Sequence, residues 1–155
     1  MTYRVRGLEP QLFAHLNDLS DEALAAHGAR RMIVDAKPGF PDRIEVRDLD
    51  VGEPAILLNH VHQPADTAYR SSHAIFVREG ATAALDLTDA LPEAIRIRPI
   101  SLRAFTAGGE MVHADLADGA ALEPLIGRFL ADPQVAYLHA HYAKRGCYAA
   151  LITRG

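Results

Sequence analysis

The chain has 155 residues, 49% of them hydrophobic and 23% charged, with a net charge of −4 when histidine is neutral. That length and composition suit one globular α+β-sized domain, residues 1–155, with a sizeable core, and they exclude long disorder. The acidic balance argues against nucleic acid or an anionic membrane as a partner, since each needs a basic excess. No apolar run approaches the roughly 18 residues of a membrane span. The opening "MTYRVRGLEPQ" lacks a signal peptide's apolar segment, so a cytoplasmic protein is expected. Cys147 is the only cysteine, which rules out an intrachain disulfide. Eight histidines and no tryptophan set the composition apart.

In chain order, "TYRVRGL" alternates and reads as a short strand. "EPQLFAHLNDL" reads as a helix, with Pro10 in its first turn and Leu12, Phe13 and Leu16 on one stripe. "SDEALAAHG" is a second short helix, capped by Ser20 and stopped by Gly28. "RRMIVDA" is a strand, and "KPGFP" a break with two prolines. "DRIEVRDLD" reads as a further strand. "PAILLNHVH" and "HAIFVREG" are strands joined by a polar loop, the first stopped at Gln63-Pro64. "TDALPEAIRIR" holds a short helix. "ISLRAFT" and "EMVHADL" form a hairpin around "AGG". "GAALEPLIGRFLAD" is the best helix, with Leu122, Leu125, Ile126, Phe129 and Leu130 on one face and Pro133 beyond its end. "VAYLHAHYA" and "CYAALIT" close the chain as a hairpin around "KRG". Strands pair mostly by hairpins, without strict βαβ alternation. The expected fold is therefore α+β: one mixed, largely antiparallel, curved sheet with a few short helices packed on it.

Strand alternation places His60 and His62 on one face, His139 and His141 on one face, and His113 and Asp115 on one face. Each strand begins apolar and turns polar on that face. Converging faces would line one pocket with imidazoles. A His-x-His pair presents two ring nitrogens to one ion, so His60, His62, His139 and His141 form a candidate set for a divalent metal, with Asp66 or Asp115 as a carboxylate. The competing reading is that these rings end strands and meet backbone carbonyls or water.

The loop "QPADTAYRSSH" offers Arg70, Ser71 and Ser72, donors suited to a carboxylate or phosphate. The alternative is a loop tied to itself, with Asp66 on Arg70. No G-x-S-x-G elbow accompanies the serines. In the closing hairpin, Cys147 is a candidate nucleophile if His139 or His141 supplies a base, and otherwise a small buried hydrophobe. Lys144 and Arg145 at its turn, and the "RIR" of residues 96–98, read as solvated charge.

"DAKPGFPDR", "LLNHVHQPADTAYRSSHAIFVRE", "ISLRAF" and "VAYLHAHYAKRGCYAA" together resemble a bacterial family catalogued only as a domain of unknown function. The resemblance covers nearly the whole chain. It implies Pro-Cys-Arg where this chain has Pro41-Asp42-Arg43, an aromatic residue at His60, and Gly-Pro near His73-Ala74. His62, Arg70, His141 and Cys147 match its pattern. The departures set a metal site on His60, and thiol chemistry shared with position 42, in doubt.

Three functions follow. The first is binding, with acid/base turnover, of a small anionic molecule. Its pocket holds Arg43, Arg70, Ser71, His139 and Tyr142 as ligand contacts, with His62, His141 and Cys147 as catalytic candidates. The second is a metal-dependent enzyme built on the two His-x-His strands. The third is a non-catalytic domain forming a homodimer through an exposed sheet edge or face.

Overall fold

A computed structural model describes residues 2–155. Among them, nine strands form two sheets. The larger sheet contains β1 (Tyr3–Arg6), β5 (Asp86–Thr88), β6 (Pro99–Phe105), β7 (Met111–Asp118), β8 (Tyr137–Tyr142) and β9 (Cys147–Arg154), in the order β5-β1-β9-β8-β6-β7. The smaller sheet contains β2 (Arg30–Ile33), β3 (Pro54–Gln63) and β4 (Ser71–Arg78), in chain order. Every pairing between these strands is antiparallel. The α+β class is as expected. Two antiparallel sheets stand where one mixed sheet was expected, because the chain after β4 pairs with β1 rather than extending β2–β4.

The helices α1 (Asp21–Ala26), α2 (Glu93–Arg96) and α3 (Glu123–Leu130) are short. Ser20 caps α1 as expected, its hydroxyl accepting from the Ala23 N–H at 3.1 Å. On α3, Leu125, Ile126, Phe129 and Leu130 are buried against one face of the larger sheet, where Ile100, Leu102, Leu138, Ala140 and Ile152 meet them. At roughly 1.5–3 kcal/mol for each large side chain removed from water, this layer is the main stabilising element. A second core, with Phe13, Leu16, Leu24, Ile44, Ile56 and Ile75, packs under the smaller sheet.

Two expected elements differ. "EPQLFAHLNDL" forms two 3₁₀ turns, Pro10–Leu12 and Ala14–Leu16, instead of a helix. Phe13 and Leu16 are buried while Leu12 is exposed, so the stripe does not hold through one continuous helix. "DRIEVRDLD" is not a strand. Its alternation records burial in three places: Ile44 in the second core, Val46 in the main core, and Leu49 beside Val34 and Ala55. Val46 takes a left-handed φ of 51°, which no strand accommodates. This segment stitches the sheets together: the Leu8 N–H donates to the Arg43 carbonyl at 2.8 Å, and the Arg43 N–H donates to Phe76 at 3.1 Å. Gly7 allows the close approach, since a Cβ there would fall 1.9 Å from the Ile44 carbonyl oxygen.

Candidate functional site

On β8, Leu138 and Ala140 enter the main core, so the alternating residues Tyr137, His139 and His141 take the opposite face of the larger sheet. The β3–β4 hairpin covers that face. A bulge between Val61 and Gln63 lets both His62 and Gln63 turn inward at its end. Gln63 then donates to the Tyr137 hydroxyl at 2.8 Å, tying the two sheets together. The His62 ring stacks on Tyr148, with centroids 5.3 Å apart, and meets His141 edge-on at 5.0 Å. The expected convergence of His62 and His141 is therefore present.

His73, opposite His60 in the β3–β4 register, completes the group. Its Nδ1 lies 2.6 Å from His62 Nε2, and its ring is 5.5 Å from that of His141. His139 sits farther back, 5.9 Å from His62 and in contact with Phe105 and Tyr148. His60 is turned away and packs edge-on against Phe13 at 5.7 Å. His113 lies outside the group, stacked on Phe129 and 2.6 Å from Asp132; Asp115 pairs with Arg128 at 3.0 Å. The four-histidine metal set expected from the two His-x-His pairs is thus not the set the fold gathers. Among the described residues the compact group is His62, His73 and His141.

These rings are held neutral. Burial pushes the His62 imidazole down to about 3, with further lowering from His73, His139 and Arg103. Burial likewise takes His139 down to about 4 and His141 to about 2, the latter partly offset by its bond to Gly146. His73 is lowered by burial, then by Arg103 and Arg43. The His141 ring is fully buried, and its Nδ1 lies 2.8 Å from the Gly146 carbonyl oxygen. A carbonyl only accepts, so Nδ1 carries the proton and Nε2 is a bare lone pair. That Nε2 is buried without a partner, as is His62 Nδ1.

Two openings flank the histidines. The smaller, about 440 Å³, is bounded by Arg6, His62, Gln63, Tyr137, His139 and Thr153. The larger is a cleft of about 890 Å³. Arg30, Arg43, Arg98, Lys144, Arg145 and His73 stand on its wall, beside the apolar Met32, Phe40, Leu57 and Phe76. Among the described residues no carboxylate lines it. Arg43 is only 2% exposed. Its guanidinium donates to the Tyr148 carbonyl at 2.8 Å, to the Pro41 carbonyl, and to Cys147 Sγ at 3.0 Å. Arg43 and Arg98 each lie 5.0 Å from the centre of the Tyr142 ring. Burial raises the Tyr142 phenol to about 12, against the pull of both cations. Arg98 is paired to Asp48 at 2.6 Å and is not the solvated charge its "RIR" setting suggested. Arg30, Lys144 and Arg145 form no ion pair among the described residues.

Of the expected ligand contacts, Arg43 and Tyr142 line the larger cleft and His139 the smaller. Arg70 lines neither: it is exposed and donates to the Pro64 carbonyl within its own loop, so the loop is tied to itself as in the alternative reading, but through Pro64 rather than Asp66. Ser71 begins β4 opposite Gln63 and lines neither opening. Cys147 lines the cleft, but its neighbour is Arg43 rather than a histidine. Sequence reasoning missed Arg30, His73, Lys144 and Arg145. Of these only His73 carried a signal, as the residue paired with His60 when the hairpin is closed in register.

No helix of the described residues is long and apolar enough to cross a membrane. Residues 39–154 match the family described as Protein of unknown function (DUF1203). The chain belongs to that family, as its motifs suggested. No curated protein and no solved structure matches the chain.

Proposed function

We propose that this member of the DUF1203 family binds a small anionic molecule with an apolar body in the cleft between the β8–β9 turn and the 38–43 loop. One observation carries the reading: among the described residues the wall bears five arginine and lysine side chains, of which only Arg98 has a carboxylate partner, and no carboxylate lines it. The chain as a whole has a net charge of −4, so this positive field is local. A volume of about 890 Å³ suits a metabolite-sized ligand.

The residues divide the work. Arg43 is fully engaged by the Tyr148 and Pro41 carbonyls and by Cys147, so it shapes the wall and supplies fixed positive charge. Arg98, paired to Asp48, braces Tyr142 from the other side. Arg30, Lys144 and Arg145 have free heads and are the groups that contact a carboxylate or phosphate. Phe40, Phe76, Met32 and Leu57 take the apolar part. His73 is the imidazole on the same wall.

Thermal shift with phenyl phosphate and benzoate, against phenol and benzamide, tests the reading. The anions are expected to raise the melting temperature and the neutral analogues to leave it unchanged. The double variant Lys144→Glu/Arg145→Glu is expected to abolish the shift, and Arg70→Ala to retain it. Equal shifts from neutral and anionic probes, or a shift lost in Arg70→Ala alone, would refute it.

A further inference from the structure

We propose that His62, His73 and His141 together bind one divalent transition-metal ion. One ring nitrogen from each lies within 4.8 Å of the others. Metal–imidazole bonds of about 2.0–2.1 Å would set such nitrogens about 3–3.5 Å apart, a spacing reached by small rotations of the three rings.

The hydrogen bonds around the rings suit metal ligation. His141 donates Nδ1–H to the Gly146 carbonyl, the outer-shell contact that fixes a ligating imidazole's tautomer. Its opposite nitrogen, Nε2, is buried and has no partner. A buried lone pair without a partner forfeits the hydrogen bond it would make in water, and a metal ion restores that interaction. His62 and His73 share one proton across 2.6 Å. An ion would take that place, and the shared proton would move to the far nitrogen of its own ring, with no net change in protonation. His62 is further positioned by its stack on Tyr148 and by the β3 bulge.

The donor set selects the ion. Three neutral imidazoles and no carboxylate disfavour Mg²⁺ and Ca²⁺, which take oxygen ligands. They suit Zn²⁺, Co²⁺, Ni²⁺, Cu²⁺ and Fe²⁺. Arg103 opposes any cation here, since its charge acts on all three rings. That repulsion favours ions forming strong bonds to nitrogen. Three protein ligands leave a coordination position open. Because His73 also stands on the wall of the larger cleft, the ion would sit beside the space assigned to the anionic ligand.

The test uses tag-free, chelator-treated full-length protein titrated with Co²⁺, followed by competition with Zn²⁺. One equivalent of Co²⁺ is expected to produce the visible absorption of a low-coordinate nitrogen site, and Zn²⁺ to abolish it. His73→Ala, at a half-buried position, should weaken binding by more than the roughly 10–100-fold that outer-shell changes cost. Circular dichroism confirms that the variant is folded. His60→Ala should bind normally, which separates this set from one built on the His60/His62 pair. Lys144→Glu/Arg145→Glu should also keep the metal while losing the anion, so the two proposals fail separately. Absence of a stoichiometric Co²⁺ spectrum in the wild type, binding untouched by His73→Ala, or equal loss in His60→Ala would overturn the site.

Discussion

The two ends of the β8–β9 hairpin treat positive charge in opposite ways. Along its length, His139 and His141 are sealed against β3 and β6 and held neutral, with their proton affinities far below the ordinary imidazole range. At its turn, a few residues on, Tyr142, Lys144, Arg145 and Cys147 border a cleft that gathers guanidinium and ammonium groups. The difference lies in solvent and partners. The histidines meet rings of Tyr148, Phe105 and one another, so a proton there has no anion to offset its desolvation. Arg43 is equally buried but is always protonated, and two carbonyls and a thiol replace its hydration. Burial silences a group that can give up its charge and demands partners for one that cannot.

Acid breaks the comparison most severely. The unfolded histidines bind protons below about pH 6.5, whereas in the folded chain His62, His139 and His141 do so only near 3, 4 and 2. The stability they contribute is fully present above pH 6.5 and falls as pH drops through that value, by about 1.4 kcal/mol per pH unit for each group. Urea unfolding of chelator-treated protein should therefore show a loss of several kcal/mol between pH 6.5 and pH 5. A midpoint unchanged over that interval would mean the rings are hydrated.

Next in size is Arg43→Met, which leaves the Pro41 and Tyr148 carbonyls without their donor. The expected loss is about 2–4 kcal/mol by urea denaturation at neutral pH. Tyr142→Phe removes a buried hydroxyl that has no partner, so it should be neutral or stabilise by up to about 1 kcal/mol. Destabilisation beyond that would reveal a bond to the phenol. Lys144→Ala and Arg145→Ala should each change stability by less than about 0.5 kcal/mol while weakening anion binding. A large stability loss would make these cations structural rather than ligand-binding.

How much of this was legible depended on whether the cause was local. The hairpins follow from alternation, and the His62–His141 approach follows from polar residues replacing apolar ones at matching strand ends. The Ser20 cap follows from one side chain and one turn. By contrast, the 42–49 segment imitates a strand because Ile44, Val46 and Leu49 are each buried, though in three different cores. Alternating hydrophobicity reports burial and says nothing of which core receives each residue. The β3 bulge turns both His62 and Gln63 inward, which strict alternation does not foresee. The cleft was hidden for a similar reason: Arg30 on β2, Arg98 before β6, and Lys144 and Arg145 in the last turn meet only through tertiary packing. Arg70 looked like an anion clamp because its neighbours are donors, yet its own loop's Pro64 carbonyl holds it.

A crystal structure of the wild-type protein soaked with whichever anionic probe gives the larger thermal shift tests the central claim most directly. The account predicts density for the anionic group within hydrogen-bond distance of Arg30, Lys144 or Arg145, with the apolar ring against Phe40 and Phe76. Density for the probe elsewhere, with this cleft empty at saturating concentration, would contradict it.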